Sequence, residues 1–152
     1  MNNKSEDLKE KLKQALSSTI RVISEDFNIK SRKISEKNLV KTNFFELDNL
    51  KTKNDFIKAR ADSDSSALKK KFSNKLIFEK NLPSSPSYKS LYKITEKIRY
   101  ETLGSKMLKG IEKNLKENYN RIINLKKKDQ LKSKEDVPII EAFELYMLKN
   151  FH

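Results

Sequence analysis

The stretch from Ser87 to Leu125, SYKSLYKITEKIRYETLGSKMLKGIEKNLKENYNRIINL, decides the fold of this chain. Its apolar residues recur every three or four positions, which is the spacing of an amphipathic helix. They form two stripes on roughly opposite sides of that helix, first Tyr88, Leu91, Ile94 and Ile98, and then Tyr100, Leu103, Met107, Ile111, Leu115 and Ile122. The pattern predicts either a helix that breaks near Gly104 or one long helix that packs against two different neighbours.

Helical patterns also lie on both sides of this stretch. Upstream, the spacing of apolar residues predicts helices over residues 5–25 and 52–72. Downstream, a proline near the first turn marks the start of a last helix after Pro138. Its predicted apolar face consists of Ile139, Ile140, Phe143, Tyr146 and Met147. The chain is therefore predicted to be mostly α-helical.

Two segments between these helices have a different pattern. Residues 81–87 contain two prolines and three serines, and they predict a linker-like break with Ser87 as the cap of the next helix. Residues 27–45 lack a helical period, and their spacing favours a small β-hairpin. The sequence thus predicts an irregular multi-helix fold, with a candidate hairpin, organised as a single domain over residues 1–152.

Residue types that the chain lacks exclude several classes of active site. The 152 residues include no cysteine and a single histidine, His152, so thiolate metal sites and His-based triads are excluded. Two glycines, Gly104 and Gly110, are too few for a phosphate-binding glycine-rich loop. No apolar run approaches the roughly 20 residues of a membrane span, and no apolar signal core follows Met1. We expect a cytoplasmic protein without a membrane, a cofactor or a catalytic centre of its own.

The net charge of +13 leaves the class of partner open. Such a charge suggests nucleic acid or another anionic partner. However, 29 of the 34 basic residues are lysines, whereas surfaces that bind phosphates and bases favour arginine. The runs Lys69–Lys71 and Lys126–Lys128 lie at the ends of helical patterns, where cations suit the helix dipole. A solvated lysine-rich surface is therefore the favoured interpretation, and nucleic acid is an unlikely partner.

Three groups of polar or aromatic residues are candidates for a chemical role. The stretch Asp62–Ser66 fits either a small polar break in a loosely packed helix or a polar contact site. It departs from a DxSxS metal motif, because Asp64 stands at the first serine position. Glu96 and Glu101 could form a carboxylate pair, but a solvated helix face is the commoner explanation. The five tyrosines follow helical spacing, which favours packing over base stacking.

One run of residues resembles a known family. The segment from Ile94 to Leu115 resembles a stretch of the CobT-type subunit of aerobic, ATP-dependent cobaltochelatase, where "EQARVEALG" is followed by a basic pair, Met, a small residue, Gly and an apolar residue, ending in Asn-Leu. The matching positions are Arg99, Glu101, Leu103, Gly104, Met107, Gly110, Asn114 and Leu115. Upstream, Arg60–Lys71 resembles the family's "RG-x-ADS-x-ALRLR" region, and Val137–Leu145 resembles a helix that closes its amino-terminal region. Ser105-Lys106 departs from the usual Arg-Arg.

The resemblance implies an assembly role rather than an active site in this chain. It covers the amino-terminal region of the CobT-type subunit, without the acidic linker and the von Willebrand-type domain that follow in the family. It implies two partners, an AAA+ subunit and a large corrin-binding subunit, with ATP, magnesium and cobalt on the complex. The candidate partner-interface residues are Arg60, Asp62, Asp64, Arg99, Glu101, Gly104, Met107, Gly110 and Asn114. A basic nucleic-acid-binding protein and an unrelated helical adaptor remain alternatives.

Overall fold

Helices make up the fold wherever the computed structural model describes it, over residues 2–26, 52–129 and 138–151. These ranges contain six helices: α1 (Asn2–Ser24), α2 (Lys53–Phe72), α3 (Lys75–Lys80), α4 (Pro86–Met107), α5 (Lys109–Asp129) and α6 (Ile139–Phe151). No strand occurs in them. The mostly α-helical fold class is thereby confirmed, whereas the hairpin predicted at residues 27–45 lies outside the described residues.

The chain divides into two compact units, Met1–Lys71 and Phe72–His152. The boundary lies between Lys71 and Phe72, whereas the predicted linker-like break at residues 81–87 lies inside the second unit. The organisation as one domain therefore stays a prediction. No helix of the described ranges is long and apolar enough to cross a membrane.

In the first unit, α1 and α2 run in the same direction. The Ser63 hydroxyl of α2 donates to the backbone carbonyl of Leu16 at 3.5 Å, and farther along both helices Lys71 forms an ion pair with Glu25. Because the second contact lies nearer the carboxyl terminus of both helices than the first, the helices are parallel. Glu25 follows α1 with a φ of 56°, the left-handed conformation that commonly ends a helix.

The start of α2 is fixed by a reciprocal capping arrangement. The backbone N–H of Thr52 donates to Asp55 Oδ2 at 2.8 Å, and the N–H of Asp55 donates to Thr52 Oγ1 at 3.3 Å. Both bonds satisfy donors that a helix amino terminus otherwise leaves without an acceptor. Lys69, Lys70 and Lys71 fall in the last turn of α2, as the interpretation of the basic runs predicted.

The second unit begins with α3, which the sequence pattern did not predict. Its start is set by Asn74, whose side-chain oxygen accepts from the N–H groups of Leu76 at 3.0 Å and Ile77 at 3.2 Å. With only six residues, this helix is too short for an apolar period to develop. Its Phe78 ring lies 5.1 Å from the Tyr92 ring of α4, which joins the two helices.

The amino terminus of α4 lies two residues earlier than predicted. Ser85, not Ser87, is the N-cap, and Pro86 is the first helical residue. The prediction treated both prolines as incompatible with a helix. Pro86 is tolerated because the first N–H of a helix has no intrahelical acceptor, so its loss costs nothing there. The non-helical break therefore spans residues 81–85.

The long helical run of the sequence is broken at Leu108, four residues after Gly104. Leu108 has an extended conformation, with φ −135° and ψ 112°, and its N–H donates to the carbonyl of Gly104 at 3.0 Å. Its own carbonyl accepts from Ile111 and Glu112, which begins α5. Gly104 is thus an interior residue of α4, and the break near it is confirmed only in approximate position.

The core of the second unit is built from α4 in contact with α5 and α6. Its buried apolar residues lie on these three helices: Ile98, Tyr100, Ile111, Leu115, Tyr119 and Leu148. The opposite placement of the two stripes leads us to expect that the second stripe points away from the core that holds the first, and this prediction is wrong. Leu103 and Met107 are exposed, but Ile111 and Leu115 are buried because the break at Leu108 gives α5 a new direction.

Candidate functional site

The polar stretch of α2 is closely packed. Ser63 and Asp64 are buried, and they are flanked by the equally buried Ala61, Ala67 and Leu68. A small polar break in a loosely packed helix is therefore the wrong interpretation, and a polar contact site agrees with the burial. Ser63, which the list of candidates omitted, provides part of that contact through its bond to the carbonyl of Leu16.

The three candidate residues of the first unit do not share one environment. Arg60 and Asp62 are exposed, whereas Asp64 is buried on the same helix. Asp62–Ser66 is helical, as the predicted helix over residues 52–72 required. Among the described residues, no group of three or more His, Cys, Asp or Glu side chains could hold a metal ion.

Arg99 of α4 holds the start of the second unit in place. Its Nε donates to Glu96 Oε2 at 2.7 Å, and its Nη2 donates to Glu96 Oε1 at 2.8 Å. The same Nη2 donates to the backbone carbonyl of Phe72 at 2.7 Å, and the Ser73 hydroxyl donates to Glu96 Oε1 at 2.6 Å. The bond to Glu96 raises the pKa of the Arg99 guanidinium above its ordinary value, against the effect of burial. Arg99 is therefore a positioning residue in this unit.

A buried carboxylate joins α4 to α5. Glu101 is 0% exposed and Tyr119 is 3% exposed, and the Tyr119 hydroxyl donates a short hydrogen bond to Glu101 Oε2. The ammonium of Lys97 lies 5.5 Å from the centre of the Tyr119 ring. Burial, and then the charge of Glu101, raise the pKa of the Tyr119 hydroxyl well above its ordinary value. Tyr119 is thus held as a neutral donor to a carboxylate that water does not reach.

The sequence contains a signal that Glu101 is buried. Glu101 follows Ile98 by three residues, so it continues the first apolar stripe, and a carboxylate in that position needs a buried partner. The predicted solvated face for Glu96 and Glu101 is wrong, because Glu101 is buried and Glu96 is mostly covered. The two carboxylates have separate partners and do not act as a pair.

The tyrosines follow the predicted packing only in part. Tyr100 and Tyr119 are buried, and Tyr92 is half-buried against Phe78. Tyr88 and Tyr146 are largely exposed, because each projects from the outer side of its helix. Helical spacing alone could not distinguish the buried tyrosines from the exposed ones.

The remaining candidates lie near the junction of α4 and α5. Gly104 is buried within α4, whereas Met107 ends that helix and is exposed. Gly110 is exposed in the first turn of α5, and a Cβ atom there would meet nothing within 4 Å. A glycine within a helix permits a close backbone approach, but none occurs at Gly110 in the described structure. Asn114 is half-buried one turn farther along α5.

We call the exposed part of this junction the α4–α5 corner. It consists of Leu103, Lys106, Met107, Leu108, Lys109, Gly110 and Lys113. Beside it, a shallow groove of ≈ 370 Å³ runs along α5 and is lined by Lys109, Glu112, Lys113, Lys116, Glu117 and Asn120. Of the nine candidates, only Met107 and Gly110 contribute to this surface. Glu101 and Gly104 lie beneath the surface of the same unit.

Comparisons with known proteins identify the family. The sequence profile described as "Cobalamin biosynthesis protein CobT" matches residues 6–149, which is nearly the whole chain. No curated protein gives a significant match, and no solved structure does either. The match includes all nine candidate residues and both helices of the α4–α5 corner. The chain therefore belongs to the CobT family of cobalamin biosynthesis proteins.

Proposed function

We propose that this chain is an assembly part of the cobaltochelatase that inserts cobalt into the corrin ring during cobalamin biosynthesis. Membership of the CobT family supports a role in that biosynthesis. The assignment to an assembly role rests on the α4–α5 corner, where apolar side chains are exposed above closely packed helices. Such exposed apolar surface on a folded domain is typical of an interaction site.

The packing of α4 against α5 beneath this surface holds it in one geometry. Glu101 and Tyr119 tie α4 to α5 through a buried hydrogen bond, and Ile98 and Leu115 are almost inaccessible to water on the same two helices. Buried polar pairs with satisfied bonds favour one arrangement of the helices over others. The outward-facing residues at the junction are therefore held in fixed relative positions, which lowers the entropy cost of binding.

The proposed partners are an AAA+ subunit and a large corrin-binding subunit. In this proposal ATP and magnesium bind to the complex, cobalt is its substrate, and this chain contributes contacts between subunits. The exposed faces of α2 offer a second set of candidate contacts, Arg60 and Asp62, in the first unit. Cytoplasmic localisation belongs to the same proposal, because the corrin substrate and ATP are both used there.

Reconstitution with purified subunits tests the proposal. The chain is mixed with the AAA+ subunit and the large subunit in the presence of ATP and magnesium, and assembly is measured by analytical ultracentrifugation. Cobalt insertion is then followed by the change in the visible spectrum of the corrin. We expect a complex containing this chain, and a rate of insertion that depends on its addition. Failure of the chain to bind either subunit, together with insertion that is unaffected by it, would refute the proposal.

A further inference from the structure

The apolar part of the α4–α5 corner is continuous along the chain. Leu103 and Met107 are one helical turn apart on α4 and therefore lie on the same face. Leu108 follows directly in the extended residue that joins the helices. The three are 38%, 51% and 45% exposed, respectively. Because burial of such side chains against a partner removes apolar area from water, this strip favours association.

The charge around the strip is mainly positive. Lys106, Lys109 and Lys113 are exposed, and none of them forms an ion pair within the described part of the chain. The next lysine, Lys116, differs because it pairs with Glu112 at 2.7 Å. Three ammonium groups that form no ion pair in the described residues, beside an apolar strip, raise the local potential and favour an acidic partner.

The backbone at the start of α5 adds to the preference for negative charge. The first hydrogen bonds of this helix run from the N–H groups of Ile111 and Glu112 to the carbonyl of Leu108. The N–H groups of Lys109 and Gly110 therefore have no acceptor within the helix, as is usual in a first turn. Since Gly110 has no side chain and the space beside it is open, a carboxylate can approach this turn without obstruction.

These observations together specify the chemistry of an occupant. We infer that the α4–α5 corner binds an acidic amphipathic segment of a partner protein. Its apolar side chains, one helical turn apart, contact Leu103, Met107 and Leu108, and its Asp or Glu side chains face the three lysines. The inference deepens the proposed assembly function by naming the kind of segment that docks, and it rests on that function only for the identity of the partner.

A synthetic peptide of about 15 residues, long enough to form a helix, is the probe. It carries leucines on one face and glutamates on the other. Two matched peptides replace either the glutamates by lysines or the leucines by serines. Titration of each into the full ¹⁵N-labelled chain is followed by NMR and fluorescence anisotropy. We expect only the first peptide to bind, with the largest amide shifts between Met107 and Gly110.

Charge and apolar variants test the two parts of the surface separately. The charge variant combines Lys109→Glu with Lys113→Glu, and the apolar variant combines Leu103→Ser with Met107→Ser. Each should weaken peptide binding by about tenfold or more. The matched control is Lys69→Glu with Lys70→Glu, which changes the net charge equally at exposed positions of α2. That control should change the affinity by less than about twofold at physiological salt, because the inference gives these two lysines no contact with the peptide. Circular dichroism confirms that each variant is folded.

Several outcomes would overturn the inference. If the serine peptide binds as tightly as the leucine peptide, the attraction is one of charge alone. The same conclusion follows if the α2 control weakens peptide binding as much as the charge variant does. Amide shifts at this corner with an oligonucleotide but not with the peptide would assign it to nucleic acid. Self-association that the Leu103 and Met107 variant abolishes, without peptide binding, would assign it to a second copy of the chain.

The same variants separate this inference from the proposed function. If the corner variants lose the peptide but still assemble with both subunits, the proposed assembly role stands and the partner docks elsewhere. If the wild-type chain binds the peptide at the corner but neither subunit, the docking surface stands and the proposed function fails. Absence of peptide binding with intact assembly refutes the inference alone.

Discussion

At the scale of single residues, the hydrogen bond between Tyr119 and Glu101 joins two buried side chains of the second unit. A buried carboxylate loses its hydration, and a hydrogen-bond donor must replace it. The Tyr119 hydroxyl is such a donor, and its neighbours Tyr100 and Leu115 are also buried. Removing one partner leaves the other buried, which costs more than the bond itself contributes.

Tyr119→Phe is therefore expected to lower the free energy of unfolding by about 1–3 kcal/mol, because it removes the donor and keeps the ring. Urea denaturation followed by circular dichroism measures the change. The control is Tyr146→Phe on α6, which removes the same hydroxyl from an exposed ring and should change the stability by less than about 0.5 kcal/mol. Equal stabilities for the two variants would contradict the role of the buried pair.

The raised pKa of Tyr119 also predicts a pH dependence with a defined sign. Above the ordinary tyrosine pKa of 10.0, the unfolded chain loses this proton while the folded chain retains it. The contribution of Tyr119 is therefore complete below pH 10 and decreases as the pH rises further, by about 1.4 kcal/mol per pH unit.

Urea denaturation at a series of pH values tests this dependence. Because high pH also affects the rest of the chain, the quantity to compare is the difference in stability between the wild type and Tyr119→Phe. We expect this difference to be constant between pH 7 and 9 and to shrink above pH 10. A constant difference up to pH 11 would show that the hydroxyl ionises as easily in the folded state as in the unfolded chain.

At the scale of the helices, the two glycines have opposite roles. Gly104 is buried inside α4, where a larger side chain has to displace its neighbours. Gly110 is exposed in the first turn of α5, where the space for a Cβ atom is open. A larger side chain is therefore expected to be costly at the buried Gly104 and not at the exposed Gly110.

Gly110→Ala is expected to raise the free energy of unfolding by about 0.5–1 kcal/mol, because alanine loses less backbone entropy in a helix. Gly104→Leu should lower it by about 1–3 kcal/mol through overpacking. Lys106→Ala, at an exposed position between them, serves as the control and should change little. Thermal melting of the three variants gives the comparison. A wild-type melting temperature for Gly104→Leu would contradict the assignment of Gly104 to a close-packed position.

The helices also show how much of the fold could be predicted from the sequence pattern. The apolar period predicted α1, α2 and α6 within a few residues, because that period reports which face of a helix is covered. It could not predict α3, whose start depends on the side chain of Asn74, nor the break at Leu108. Leu108 is neither glycine nor proline, so no helix-breaking residue marks this position as the end of α4.

The candidate site was predictable to a similar extent. The resemblance drew attention to Glu101 and Gly104, which prove to be buried, but not to Tyr119, which is separated from Glu101 by eighteen positions on another helix. No pattern within one sequence reports such a pair. Exposure likewise depends on tertiary packing, so the exposed state of Leu103 and Met107 could not be separated from the buried state of Leu115.

At the scale of the whole molecule, the net charge of +13 is the property that most affects its partners. The charge is carried mainly by lysines on several helices, and three of them lie together at the α4–α5 corner. A charge distribution of this kind attracts any polyanion at low salt. It selects among polyanions only where shape or apolar contact adds to the attraction, which is what the α4–α5 corner provides for an acidic segment.

Nucleic acid should therefore bind to this chain weakly and without sequence preference. Electrostatic binding to DNA releases counterions, so the logarithm of the affinity falls linearly with the logarithm of the salt concentration. Fluorescence anisotropy with two duplexes of unrelated sequence, measured between about 0.05 and 0.2 M salt, should give equal affinities that decrease steeply together. The leucine–glutamate peptide should lose less affinity over the same range, because its apolar contacts are not screened. Selective binding of one duplex that persists at the higher salt concentration would instead support the nucleic-acid-binding alternative.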